Sequence, residues 1–92
     1  MNSMEKLISF YEKRIKWHRE QIEYKTSNVI DLQKRIVDNY KKQNKEKMLN
    51  TANQVMTNTA ITAEHQGAIK ELEILIECAK AVTNGKKDNI QS

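Results

Sequence analysis

Proline is missing altogether, and glycine occurs only at Gly67 and Gly85. A chain so poor in helix breakers and left-handed turn residues is not built from short strands and tight turns, and an all-α class follows. Cysteine occurs once, at Cys78, which rules out an intramolecular disulfide and fits a reducing compartment. Aromatic residues make up 5% and hydrophobic residues 38% of the 92 positions. That is little material for a large enclosed core, and an enzyme pocket is not expected. No apolar run approaches the ~20 residues that cross a bilayer, and the first residues lack the positive, apolar and small-residue sequence of a secretory signal. No membrane association and a cytoplasmic location are the expectation. Small helical chains of this kind often gain stability by associating.

What is present is a repeat. Ile8, Ile15, Ile22, Val29 and Ile36 fall at seven-residue intervals, and Met4, Tyr11, His18, Lys25, Leu32 and Asn39 form the alternate series. A β-branched residue every seventh position is the seam of a helix packed lengthwise against another helix. Asn2 and Ser3 can cap the first turn and Glu5 suits the positive end of the helix dipole, so the first helix should span about 4–42. The segment from Asn39 to Lys47 is charged or amide-bearing at nearly every position and should hold the turn, at about 43–46. Beyond it Met48, Val55, Thr62, Ile69 and Ile76 are again seven apart, accompanied by Thr51, Asn58, His65, Leu72 and Ala79. The Asn/Thr-rich stretch from Asn50 to Thr62 has poor helix formers, yet the phase survives it, which favours one helix over 46–83. Asn84-Gly85 reads as a left-handed cap, and 86–92 as a disordered tail, outside a single domain of residues 1–85. The expected architecture is a long antiparallel, coiled-coil-like hairpin assembling into a dimeric helical bundle.

Charge separates the two arms. Residues 1–47 carry +5, residues 48–83 carry −2 and the tail adds +1, giving the net +4. Lys41, Lys42, Lys45 and Lys47 cluster at the turn, where a solvated loop explains them better than a nucleic-acid site, because acidic residues are interleaved along the chain. The proportion of 13 Lys to 3 Arg, with 10 Ile and 9 Asn, matches an AT-rich genome and points to a low-GC bacterium or to a phage or mobile element.

Three features could carry function. Phe10, Trp17 and Tyr24 form a second seven-residue series, about 200° around the helix from the isoleucine seam, with Lys13 and Arg14 among them. Packing in a dimeric bundle is the simplest use of this stripe, docking of another protein the next, and stacking with single-stranded nucleic acid a third. His18 and His65, at similar heights in the hairpin with Lys25, define a polar layer expected to fix register. Their number and spacing match no metal site, and no metal or cofactor is expected. Cys78, at helical spacing from Leu75 and Val82, reads as a small core residue, since no base stands beside it in sequence. No phosphate-binding glycine loop, HExxH or GxSxG occurs, so no catalytic residues are assigned. Trp17 is followed by His18 and Arg19, so the Trp-x-Gly turn of secreted helical hairpins is also missing. The chain therefore reads as a non-enzymatic, homodimeric protein-binding accessory or regulatory protein, phage or mobile-element encoded and modulating a host or defence protein. A dimeric nucleic-acid-binding protein and a structural or assembly factor are the alternatives.

Overall fold

The computed structural model describes the backbone of residues 2–91 and the side chains of residues 2–84. Two helices, α1 (Ser3–Lys41) and α2 (Lys45–Gln91), pack against each other as an antiparallel hairpin measuring 72 × 22 × 13 Å. Neither is long and apolar enough to cross a membrane among the described residues.

Local chemistry sets the ends. Asn2 accepts a hydrogen bond from the Glu5 amide at 2.8 Å while the Glu5 carboxylate accepts from the Asn2 amide at 3.4 Å, so two orphan donors of the first turn are satisfied reciprocally. The reversal occupies Lys42–Asn44. Gln43 takes a left-handed conformation with φ 58°, its amide donating to the Tyr40 carbonyl at 3.0 Å and the Asn44 amide to the Asn39 carbonyl at 2.9 Å. This is the helix-terminating pattern usually built on glycine. Asn44 then caps α2, its side-chain oxygen accepting from the Lys47 amide at 3.1 Å. One three-residue link thus ends one helix and starts the next.

α2 is continuous through Asn50–Thr62. Thr51, Thr57, Thr59 and Thr62 each donate their hydroxyl to the carbonyl four residues earlier, at 2.8 to 3.1 Å, which satisfies their side chains within the helix. The helix also runs past Asn84-Gly85 to Gln91, although a left-handed cap was expected at that pair; a helical glycine costs only about 1 kcal/mol relative to alanine, less than is needed to force a stop. The tail expected to be disordered, 86–92, lies outside the residues whose side chains are described.

The heptad phase governs burial. With Ile8 and Met48 as a positions, every a and d position from Met4 to Asn39 and from Met48 to Thr83 is buried or half-buried. Among the described residues Ile15, Leu32, Ile76 and Ala79 are the buried apolar side chains, at 7–8% exposure, and Thr51 the buried polar one. Among the described residues no side chain falls below 2% exposure, as expected of a two-helix layer that can cover only one stripe of each helix. On the e flank Arg19 meets Glu73 at 3.4 Å; both are exposed, so the pair contributes at most about 1 kcal/mol. It does mark which flanks adjoin, because in an antiparallel pair e lies beside e and g beside g.

Candidate protein-docking face

The g flank is built differently from the e flank. From α1 it presents Leu7, Phe10, Arg14, Trp17 and Tyr24, and from α2 Leu75 and Val82, at g and c positions that the seam leaves exposed, with Ile61 and Ala68 half-buried in the same α2 row. Phe10 is 57% exposed, Trp17 41% and Tyr24 63%, while Leu75 and Val82 remain 45% and 51% exposed. Lys13 and Arg14 are exposed on the same side of α1.

Trp17 organises this face. The Arg14 guanidinium carbon lies 4.7 Å from the Trp17 ring centroid, within cation–π range. On its other side Trp17 meets His65 of α2 edge-on, centroids 5.5 Å apart, and its neighbour His18 at 4.9 Å. The indole therefore bridges α1 and α2 with an exposed remainder.

Beneath it His18 and His65 approach Nδ1 to Nδ1 at 2.8 Å. Such a bond needs one nitrogen carrying hydrogen and the other a free lone pair. Burial lowers the His18 pKa below its ordinary 6.5, reinforced by the neighbouring charges of His65 and Arg14, so the neutral form is favoured. Among the described residues no cluster of three or more His, Cys, Asp or Glu side chains forms around the pair or elsewhere. Lys25, the third member of the expected polar layer, is half-buried, and its amine stands 5.9 Å from the Tyr24 ring centroid.

The seam residues Ile8, Ile22, Val29, Ile36, Ile69 and Leu72 are half-buried between the helices, and Ile15 and Ile76 buried. Cys78 corrects an expectation: it is exposed and not a core residue, because its c position points away from the seam. The α2 half of this exposed face was not among the residues expected from the sequence. Ile61, Ala68, Leu75 and Val82 are themselves seven residues apart, and that spacing was the available signal. A second exposed apolar group, Ile30, Val37 and Tyr40 of α1 with Leu49 and Met56 of α2, lies toward the turn on the e and b side.

The fold is thus that of an all-α helical hairpin with one aromatic and basic face left open. Comparison with family models, curated proteins and solved structures gave no match.

Proposed function

We propose that this chain is a non-enzymatic protein-binding accessory or regulatory protein that works as a homo-oligomeric helical bundle, with the Phe10, Trp17 and Tyr24 ridge as its docking element. The observation that supports this most is the ridge itself: three aromatic rings and Arg14 held on a rigid helix and uncovered by the rest of the chain. Aromatic and arginine side chains on pre-organised helices dominate the energetics of protein interfaces. The basic α1 and acidic α2 favour helical partners with complementary charge. A phage or mobile-element origin, with a host or defence protein as target, fits the AT-rich composition. Localisation to the cytoplasm belongs to the same proposal.

A second reading draws on the Arg14–Trp17 stack, which is also how proteins hold single-stranded nucleic acid. Glu12, Glu20 and Glu23 interrupt the basic surface of α1 and count against it. The test is affinity capture from a low-GC bacterial lysate with wild-type and Trp17→Ala protein, beside a nucleic-acid titration at two salt concentrations. A specific protein retained by the wild type and lost with Trp17→Ala supports the proposal. Submicromolar, salt-sensitive nucleic-acid binding would replace it with the second reading.

A further inference from the structure

Gly67 sits in the middle of α2, and a Cβ built on it would meet nothing within 4 Å. Glycine is unfavourable in a helix interior, and no packing within the hairpin explains it here. Its f position places it beside the g flank, in line with Ala60, while Glu64 and Glu71 stand at neighbouring c positions. This stretch of α2 is therefore a shallow furrow with Glu64 and Glu71 along one edge and Ala63 and Lys70 along the other, and α1 carries an aromatic ridge, with Lys13, Arg14 and Glu20 beside it, on the same face of the hairpin.

We infer that in the free protein the ridge is covered by the furrow of a second copy of this chain, which a partner protein would have to displace, the two hairpins lying face to face with their turns at the same end. The inference rests on the protein-docking reading of the ridge. Contacts across the hairpin fix the levels: Trp17 touches His65 and Arg19 reaches Glu73, so Trp17 stands level with the α2 segment that contains Gly67 and Glu71. One heptad toward the open end, about 10.5 Å away, Phe10 stands level with Ile74 and Cys78. One heptad toward the turn, Tyr24 stands level with Ala60 and Glu64. A two-fold axis along the long direction keeps these levels and puts α1 of each copy opposite α2 of the other.

Side-chain size selects this arrangement. It sets Trp17 of one copy against Gly67 of the other, whereas turning one copy end over end would set the two Trp17 rings together; charge does not separate the two, because Lys13 and Arg14 meet Glu71 but Glu20 meets Glu64 in the first, and Lys13 and Arg14 meet Glu20 but Glu64 meets Glu71 in the second. Area agrees. The exposed parts of Phe10, Trp17, Tyr24, Ile74, Leu75 and Val82 amount to roughly 600–700 Å² per copy, near the ~800 Å² per partner of a stable interface. The missing side chain at Gly67 lets the indole of the facing copy approach the α2 backbone, and the result is a four-helix bundle.

Light scattering and circular dichroism on the full chain test this with Gly67→Lys. The wild type should be a dimer at micromolar concentration, and Gly67→Lys a monomer with unchanged or higher helicity, since the hairpin itself has room for the side chain. Phe10→Cys should trap a covalent dimer with native Cys78 under oxidation, and adding Cys78→Ser should abolish it. A Gly67→Lys protein that stays dimeric would overturn the inference. So would covalent dimerisation of a Phe10→Cys, Tyr24→Cys protein in a Cys78→Ser background, because the end-over-end arrangement sets Phe10 of one copy against Tyr24 of the other. A monomeric wild type whose capture of another protein still depends on Trp17 would overturn the second copy as occupant and leave the docking reading intact; salt-sensitive nucleic-acid binding would overturn both.

Discussion

His18 and His65, 47 residues apart in sequence, meet through their Nδ1 atoms at 2.8 Å with Trp17 edge-on against His65. The bond exists only while at least one of the two rings is neutral. It couples the seam to the aromatic ridge, because Trp17, which bridges the helices through His65, is also the exposed centre of the ridge.

A pH dependence follows. The His18 pKa is lowered in the folded hairpin, so protons bind the unfolded chain more readily than the folded one. Stability is fully present above the unfolded value near 6.5 and is lost as pH falls through it toward the lowered folded value. Thermal unfolding followed by circular dichroism from about pH 7 to 5 should show the midpoint falling. A His18→Gln, His65→Gln variant should flatten that fall. Equal slopes in the two proteins would place the titrating groups elsewhere.

The turn offers a second test. Gln43 holds φ 58°, a conformation that costs a side-chain-bearing residue roughly 1–2 kcal/mol and glycine very little. Gln43→Gly should therefore stabilise the hairpin by about 1 kcal/mol in urea denaturation. Asn44→Ala removes the cap on the Lys47 amide and should destabilise it by about 1 kcal/mol. Destabilisation by Gln43→Gly would show that the Gln43 side chain contributes more than its backbone strain costs.

Much of this was legible in the sequence. The seven-residue spacing from Ile8 to Ile36 and from Met48 to Ile76 specified both helices and the side each turns inward, because periodicity depends only on helix geometry. Asn2 and Glu5 announced the first cap. The end of α2 was less legible, since Asn84-Gly85 permits a left-handed cap without compelling one. Cys78 was misplaced for a related reason: three and four residues from Leu75 and Val82, it shares their side of the helix, but those residues belong to the open flank and not to the seam. Gly67 carried no signal in one sequence, because its meaning depends on what surrounds it in three dimensions.

The seam assignment has a direct mutational consequence. Ile15 is 7% exposed and Lys34 exposed. Ile15→Asp places an unpaired carboxylate in the interface and should cost several kcal/mol, on the order of 3 or more, whereas Lys34→Asp should stay within about 0.5 kcal/mol. Chemical denaturation of the two variants gives the comparison. Similar losses would mean that the heptad phase is shifted.

Trp17 is the sole tryptophan, at the centre of the proposed docking ridge and 41% exposed in the single hairpin, so its fluorescence reports most directly whether another protein surface covers that ridge. Emission should be measured across a dilution series, with mass by light scattering at each concentration. The predicted result is a blue-shifted emission at high concentration that moves to the red as the assembly dissociates, with the two changes superimposable. A monomeric mass with emission independent of concentration would contradict self-assembly through the ridge. If that emission also stayed fixed with a partner protein captured and bound, it would contradict the docking role assigned to the ridge altogether.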